Sequence, residues 1–307
     1  MLRQKNFRRK GLYDTYMKHK EVVIIGNPRA GRNRREERLK RCTEILASGG
    51  LDVKVWPTER PQHATELAAL AGARLVVAAG GDGTINEIVN GLTQYATLGI
   101  LPLGTANVLA RELGLPLKAE AACERILAGK ERKIDVGIAT NQEGAERRFT
   151  CMAGIGFDAH VVNEVTPHLK RYLKSLAFAL AAFKVYSDGD LPALHLVHDG
   201  TAHVTQFAIV ANGHYYGGDF RSAEAASLTD GKLEVVLVER VSKLLRADVL
   251  ARILVKKPLD RSMHSFSAKE LRAKSPGAQV PVQLDGEVWG RLPMSFRIKP
   301  AALKVLR

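Results

Sequence analysis

Short apolar runs alternate with segments of helical spacing up to residue 112, and this alternation constrains the fold more than any other feature. An apolar run that stops at glycine or proline is typical of a parallel strand buried on both faces. Since a helix is expected between each pair of runs, the pattern predicts a doubly wound α/β domain. The predicted strands are 21–25, 51–56, 74–79 and 98–102, and the predicted helices are 33–48, 61–71, 85–92 and 106–112.

The pattern changes near residue 134, where short strands predominate. Asp-Gly and Gly-Gly pairs, which favour tight turns, separate many of these strands. The sequence therefore predicts a β-rich second domain, a sandwich, with helical stretches at about 160–186 and 242–256. The predicted strands of this part are 134–139, 149–153, 193–197, 204–211, 232–238, 262–268, 280–284 and 295–299.

Charge and cysteine content narrow the classes of partner and compartment. The formal net charge of +14 favours polyanionic partners: nucleic acid, nucleotides or an anionic membrane surface. The surplus lies in residues 1–20, 29–41, 243–274 and 291–307, and for any one of these segments solvated surface is the better explanation. The three cysteines are far apart and odd in number, which argues for a reducing compartment. No apolar run reaches the roughly 18 residues that a membrane-spanning helix needs.

The first glycine loop, Gly26-Asn-Pro-Arg-Ala-Gly31, follows a predicted strand and precedes a predicted helix. A helix N-terminus in this position is suited to phosphate. The glycine spacing is that of a P-loop, but Arg32 and Asn33 stand where a lysine and a magnesium-binding hydroxyl are required, so a Walker A motif is rejected. An ordinary turn between strand and helix is an equally good interpretation of this loop alone.

Two further glycine loops follow neighbouring strands of the predicted sheet. The glycines of Gly80-Gly-Asp-Gly-Thr-Ile-Asn-Glu87 let the backbone approach a phosphate closely. Asp82 would repel phosphate unless it held a metal or accepted a substrate proton, and both roles suit phosphoryl transfer. Gly104, Thr105 and Asn107 follow the next strand. Because parallel strands end at a common edge, the three loops are expected to converge on one crevice.

Other patterns have simpler explanations when each is taken alone. Gly154-Ile-Gly-Phe-Asp-Ala159 matches a dinucleotide fingerprint but lacks the acidic residue expected about 20 positions later. The Asp-Gly pairs at 230 and 285 are ordinary turn chemistry. His195 and His198 alternate on a predicted strand without further ligands nearby, so no zinc site is proposed.

Six motifs follow one another along the chain: Asn27–Gly31, Gly80–Glu87, Leu103–Asn107, Gly154–Ala159, Leu228–Leu233 and Leu284–Glu287. In this order they resemble the diacylglycerol kinase catalytic family, with the bacterial lipid kinases as the most similar branch and the sphingosine and ceramide kinases as relatives. The resemblance implies an NAD-kinase-like N-terminal α/β domain and a C-terminal β-sandwich domain. It places the first at 21–132 with 293–307 and the second at 133–292, after a basic arm at 1–20.

The resemblance implies ATP- and Mg²⁺-dependent phosphorylation of a hydroxyl of diacylglycerol, phosphatidylglycerol or a similar lipid. The base that deprotonates this hydroxyl is expected to be Glu287 or Asp285, whereas the sphingosine kinases point to Asp82. The ATP contacts are expected at Asn27, Pro28, Arg29, Ala30, Gly31, Thr58, Gly81, Asp82, Gly83, Thr84, Ile85, Asn86, Glu87 and Thr105. A structural magnesium site is expected at Ser227, Asp230 and the carbonyl of Lys232.

The implied partner is a lipid substrate at an anionic membrane surface, so we expect a cytoplasmic protein peripheral on the inner membrane face. Nucleic acid is not expected as a partner, and the oligomeric state, a homodimer included, stays open. One alternative is a kinase for a soluble substrate such as NAD or a sugar phosphate, which shares the GGDG loop. A second is a non-catalytic nucleotide- or nucleic-acid-binding protein; the basic segments favour it, but aromatic residues make up only 6% of the chain.

Overall fold

The computed structural model describes residues 21–27, 33–72, 74–156, 192–238 and 263–307. The chain divides into two units: the first extends to Lys133 and includes Leu303–Arg307, and the second is Ile134–Ala302. The boundaries expected from the sequence are 132/133 and 292/293. The last strand, Met294–Leu306, contributes residues to both units.

Within the described residues, the first unit has a sheet of parallel strands. β1 (Glu21–Gly26) pairs with β2 (Asp52–Pro57) on one side and with β3 (Leu75–Gly80) on the other. β4 (Thr97–Pro102) lies beside β3, and the C-terminal end of the last strand pairs with the beginning of β4. The order β2-β1-β3-β4 followed by the last strand is that of a wound α/β sheet.

Helices cover both faces of this sheet: α1 (Asn33–Ser48), α2 (His63–Ala71), α3 (Asp82–Gly91), α4 (Val108–Glu112) and α5 (Ala119–Ala128). α1 and α5 pack against the face that Val22 and Ile24 share. The alternate residues Val23 and Ile25 are fully buried on the other face, where α2 contacts β1 and α3 contacts β3. Because both faces are covered, apolar residues occupy consecutive positions in β1, β3 and β4, as the sequence predicts.

The second unit consists mainly of antiparallel strands. Their bounds are β5 (Glu131–Asn141), β6 (Glu146–Phe149), β7 (Met152–Gly156), β8 (Leu194–His198), β9 (Thr201–Thr205), β10 (Phe207–Ala211), β11 (Tyr215–Gly217), β12 (Phe220–Arg221), β13 (Leu233–Val238), β14 (Met263–Ala268), β15 (Glu270–Lys274), β16 (Pro281–Leu284), β17 (Glu287–Arg291) and β18 (Met294–Leu306). One sheet has the order β14-β13-β10-β7-β16-β17. A second contains β5, β6, β8, β9, β15 and the first part of β18, and β11 pairs with β12 alone.

The core of the second unit lies between its two large sheets. Phe149, Leu196 and Phe296 from one sheet join Ile155 and Val210 from the other in a single buried cluster. Burying a side chain of this size contributes about 1.5–3 kcal/mol, so the packing of the two sheets stabilises the unit. The predicted architecture, an α/β domain followed by a β-sandwich, is confirmed.

The predicted strand at 204–211 is divided in the structure, because β9 ends at Thr205 and β10 begins at Phe207. The Thr205 hydroxyl accepts a hydrogen bond from the Phe207 amide and donates one to its carbonyl. This local bonding replaces ladder bonds and lets the chain pass from one sheet to the other. Likewise the predicted strand at 149–153 is interrupted between β6 and β7.

The helical stretches predicted at 160–186 and 242–256 lie outside the described residues. Among the helices of the described ranges, none combines the length and apolarity needed to cross a membrane.

Candidate functional site

Three loops of the first unit start at the same edge of its parallel sheet. The register aligns Gly26 with Ala79, and Gly80 with Pro102, so β1, β3 and β4 end side by side. The Thr58 amide donates to the Gly26 carbonyl at 2.9 Å, which brings the end of β2 to this edge as well. The structure thus places the predicted nucleotide contacts Asn27, Thr58, Gly81 and Thr105 at or just beyond one sheet edge, and Pro28 to Gly31 lie outside the described residues.

The loops after β3 and β4 touch through their glycines. A Cβ atom added to Gly104 would lie under 3.0 Å from the Gly81 Cα, and one added to Gly81 would lie 3.1 Å from the Gly104 Cα. The Leu103 amide donates to the Gly80 carbonyl at 3.0 Å, which fixes the two loops against each other. Two backbones at this distance leave no room for a Cβ atom on either residue, so the contact between the loops requires glycine at both positions.

Asp82 links the two loops. It is the first residue of α3, and its Oδ1 accepts a hydrogen bond of 2.6 Å from the Val108 amide at the start of α4. Asn107, with φ 49°, exchanges two hydrogen bonds of 3.0 Å with the backbone of Gly104. The carboxylate of Asp82 therefore caps α4 and holds the second loop in place.

The remaining residues predicted from the GGDG loop differ in where their side chains lie. Thr84 packs over Gly80, in the first turn of α3 with Gly83. Ile85 is 1% exposed and Asn86 is fully buried. Glu87 accepts a hydrogen bond from the Ala64 amide at 3.2 Å and so caps α2. Gly83 and Thr84 lie in the turn next to the loop, whereas the side chains of Ile85, Asn86 and Glu87 are directed into the protein.

Arg35 was not among the predicted site residues. Its Nη2 donates a hydrogen bond of 2.6 Å to the Leu103 carbonyl, directly before Gly104 and Thr105. Burial lowers the pKa of its guanidinium, yet arginine remains charged in proteins. Arg35 belongs to the basic segment 29–41, for which solvated surface is the expected explanation, and one charge in such a run carries no signal of a contact with a residue 68 positions away.

In the second unit, the predicted metal ligands lie in one turn before β13. The Asp230 Oδ1 accepts the Lys232 amide at 3.0 Å, and the Ser227 hydroxyl accepts the Thr229 amide at 3.4 Å. Both side chains are thus oriented by their own turn. The described residues contain no group of three or more His, Cys, Asp and Glu side chains arranged for a metal. The donors are one carboxylate, one hydroxyl and one carbonyl, and this all-oxygen set fits Mg²⁺, which binds few carboxylates and keeps several waters.

Asp135 is a buried carboxylate that sequence reasoning missed. It is 3% exposed, its Oδ2 accepts the Gly231 amide at 2.7 Å, and its Oδ1 accepts the Ala301 amide at 2.7 Å. Gly231, which has φ 70°, directly follows Asp230. Asp135 therefore holds the turn that contains Ser227, Asp230 and Lys232, which we call the metal turn. A run of apolar residues around Asp135 was the available signal, since a lone carboxylate in a buried strand needs hydrogen-bond partners.

Asp285 and Gly286 form the turn between β16 and β17 with φ 49° and 88°, as in a type I′ hairpin. The Asp285 carboxylate accepts four hydrogen bonds from the segment between β6 and β7 and from the first residue of β7. The donors are the amide and hydroxyl of Thr150, at 2.8 and 3.0 Å, and the amides of Cys151 and Met152, at 2.9 and 3.0 Å. These bonds engage both carboxylate oxygens and explain why the ladder is interrupted there.

Glu287 has a different environment. Its Oε2 lies 3.1 Å from Nη2 of Arg147, and its side chain is 41% exposed while that of Arg147 is 12% exposed. The pair keeps the carboxylate oriented without removing it from solvent. Of the three candidate bases, Asp82 and Asp285 anchor backbone segments, and Glu287 is held by a side chain.

Two family models match the chain. The diacylglycerol kinase catalytic domain matches residues 21–139. The YegS C-terminal NAD kinase beta sandwich-like domain matches residues 151–307.

Individual relatives agree with these models. A diacylglycerol kinase of Bacillus subtilis (strain 168) is 29% identical, covering 90% of this chain and 93% of its own. A YegS-like lipid kinase of Chromohalobacter salexigens is 33% identical, covering 72% of this chain and 71% of its own. A solved diacylglycerol kinase from Bacillus anthracis str. Sterne has a TM-score of 0.71 at 21% identity, covering 94% of this chain and 97% of its own, and supports the fold alone.

The fold and these matches define the class of lipid kinases, which are phosphotransferases. The chain belongs to the diacylglycerol kinase catalytic family.

Proposed function

We propose that the protein transfers the γ-phosphate of ATP to a hydroxyl of a membrane lipid in a Mg²⁺-dependent reaction. The observation that carries this proposal is the contact between Gly81 and Gly104, which presents backbone at the carboxyl ends of parallel strands. Ligands of α/β proteins bind at this edge, and loops built from glycine let a phosphate approach the backbone closely. Membership of the kinase family supplies the reaction class.

In this proposal the first unit binds the nucleotide. The loops around Gly81 and Thr105 receive the phosphates, and Thr58 lies at the same sheet edge. Arg35, anchored on the Leu103 carbonyl, adds a fixed positive charge beside the second loop. Asp82 keeps the two loops in register through its bond to the Val108 amide. Phosphoryl transfer needs such positioning and charge neutralisation more than covalent chemistry from the protein.

The second unit supplies the metal turn and the base. Ser227, Asp230 and the Lys232 carbonyl would hold Mg²⁺, which contributes positive charge when it is bound. We assign the base to Glu287, because its side chain is 41% exposed and its carboxylate is oriented by an ion pair with Arg147. A carboxylate that accepts the hydroxyl proton as the bond to phosphorus forms is sufficient for a kinase. Asp285 is assigned a structural role, because four donors from the chain engage its oxygens.

Diacylglycerol is the first candidate substrate, because the relative from Bacillus subtilis is a diacylglycerol kinase. Phosphatidylglycerol is the second, as another lipid with a free primary hydroxyl.

We further propose that the protein works peripherally at an anionic membrane on its cytoplasmic face. The net charge of +14 supports this, since each basic residue near such a surface contributes about 1 kcal/mol.

The test is transfer of labelled phosphate from ATP to a panel of lipids in mixed micelles, with and without Mg²⁺. We expect phosphatidic acid from diacylglycerol, no transfer after chelation of Mg²⁺, and a loss of about 10²–10⁴-fold for Glu287→Gln. A folded wild-type protein that phosphorylates no lipid would overturn the proposal. Phosphorylation of NAD in the absence of lipid would replace it with a kinase for a soluble substrate.

A further inference from the structure

Asn212 lies directly after β10 in the second unit and is fully buried. Its side-chain Nδ2 donates one hydrogen bond of 3.0 Å to the Asp135 carbonyl and one of 2.7 Å to the Thr150 carbonyl. Its backbone amide donates to the Cys151 carbonyl at 2.8 Å. One residue therefore ties the β5 strand to the segment between β6 and β7.

The orientation of this amide follows from its neighbours. Both groups within hydrogen-bond distance of Nδ2 are carbonyls, which only accept, so the NH₂ end of Asn212 must face them. The opposite orientation would direct an oxygen at two other oxygens. Asparagine matches this position because its NH₂ group carries two donors on one nitrogen.

The two carbonyls belong to the residues that organise the two Asp-Gly turns. The carboxylate of Asp135 holds the amide of Gly231, next to the proposed metal ligand Asp230. The backbone amide of Asp135 donates a hydrogen bond of 2.7 Å to the Leu228 carbonyl, at the other end of the same turn. The metal turn is thus bound to the β5 strand at two points beside the carbonyl that Asn212 holds.

On the other side, Thr150 begins the run of amides that surrounds Asp285. The Thr150 amide and hydroxyl bind one carboxylate oxygen of Asp285, and the next two amides bind the other. The backbone amide of Asp285 donates a hydrogen bond of 2.9 Å to the Met152 carbonyl. Glu287 lies two residues beyond Asp285, so the position of the Thr150 segment sets the position of the proposed base.

We propose that Asn212 is a positioning residue for phosphoryl transfer. By holding the Asp135 and Thr150 carbonyls, it fixes the metal turn relative to the turn at Asp285 and Gly286, which precedes the proposed base Glu287. The inference rests on the proposed function, since it assigns a catalytic purpose to the distance between these turns. The Asn212 side chain acts on the two turns through the carbonyls of Asp135 and Thr150. Residues of this kind, which orient the groups that contact metal or substrate, typically change metal affinity or activity by about 10–100-fold.

The experiment compares Asn212→Ala and Asn212→Asp with a matched control, Thr205→Val. Thr205 is also buried in the second unit and also donates to a backbone carbonyl, that of Phe207, but contacts neither turn. Amide hydrogen exchange is followed at Gly231 and at Thr150 to Met152, and kinase activity is titrated with Mg²⁺ and with ATP.

In both Asn212 variants we expect exchange at the two turns to accelerate together by about tenfold or more, because the shared anchor is lost. The kcat should fall by about tenfold or more and the Mg²⁺ concentration for half-maximal rate should rise, with the KM for ATP unchanged. Thr205→Val should change none of these. Asn212→Asp keeps the shape of the side chain but presents oxygen to the two carbonyls, so it tests the hydrogen bonds if the alanine variant does not fold.

Unchanged exchange at either turn, or a loss of activity equal to that of Thr205→Val, would overturn the inference. Failure of both Asn212 variants to fold would assign the residue to folding alone and would overturn it as well. Inactivity of wild type on all lipids would instead overturn the proposed function, and the exchange measurement would still decide whether Asn212 links the two turns.

Discussion

Replacing Asp285 by asparagine tests whether the carboxylate of this residue has a structural or a catalytic role. Asp285 has φ 49°, a conformation that asparagine also tolerates, so the substitution leaves the turn unstrained. The carbonyl oxygen of asparagine can keep the hydrogen bonds on one side of the group. Its NH₂ group, on the other side, faces donors from Thr150 or from Cys151 and Met152 and cannot accept them.

The cost follows from the number of bonds lost. Two of the four hydrogen bonds disappear, and each bond to a charged acceptor contributes about 1.5–3 kcal/mol. Because Asp285 is only partly buried, the lower end applies, and we expect Asp285→Asn to reduce the free energy of unfolding by roughly 3 kcal/mol. A loss of this size is a large fraction of the total stability of a typical domain.

Glu287→Gln should behave in the opposite way. Its ion pair joins a carboxylate that is 41% exposed to a guanidinium that is 12% exposed, and the amide oxygen of glutamine can still accept the hydrogen bond from Nη2 of Arg147. We therefore expect a near-native free energy of unfolding for Glu287→Gln, together with a loss of about 10²–10⁴-fold in kcat if Glu287 is the base.

The two variants are compared with wild type by urea denaturation, followed by tryptophan fluorescence, and by kinase assay on diacylglycerol micelles. Asp285→Asn at wild-type stability with activity reduced as far as in Glu287→Gln would refute the structural assignment and make Asp285 the base. Full activity of Glu287→Gln would refute the assignment of the base to Glu287.

Three further outcomes are expected. Gly104→Ala should abolish nucleotide binding, measured by calorimetry with ATP, because its Cβ would lie under 3.0 Å from backbone of the adjacent glycine loop; normal ATP affinity would contradict this role. Asp230→Asn should raise the Mg²⁺ concentration needed for half-maximal activity by about 10-fold or more, with unchanged Mg²⁺ dependence as the contrary result. Hydrogen bonds from Lys54 and Arg74 hold the pKa of Glu21 below its ordinary value of 4.5, so its contribution is present above that pH and lost as pH falls through the folded-state pKa. Glu21→Gln should accordingly be less stable than wild type at pH 7 in low salt, with the difference disappearing near pH 3 in urea denaturation; a pH-independent difference would contradict this.

The parallel sheet and its loops could be predicted from sequence because their signals are local. A strand covered on both faces shows as a continuous apolar run, and a glycine or a proline marks where each strand ends. The helix α5 (Ala119–Ala128) was not predicted, although it packs in the same buried cluster as α1. Its alanine-rich sequence has a weak apolar pattern, and its packing partners lie far away in the chain.

The two Asp-Gly turns show where local information ends. The same dipeptide, Asp-Gly, occurs at 230 and at 285. It predicts a tight turn, and the structure has a turn at both positions. The structure gives the two carboxylates different environments: Asp230 is exposed and bonds within its own turn, whereas Asp285 accepts donors that lie up to 135 positions away.

The sequence by itself therefore determined the architecture, the position of the glycine loops and the family resemblance, because these depend on periodicity and on short motifs. Only the tertiary structure decided which carboxylate anchors backbone and which stays accessible, and it alone revealed Arg35, Asp135 and Asn212. Each of these three side chains bonds to backbone atoms of residues distant in sequence, at least 62 positions away. Every carbonyl and amide of the chain is chemically alike in sequence, so only folding selects the ones that a buried polar side chain will meet.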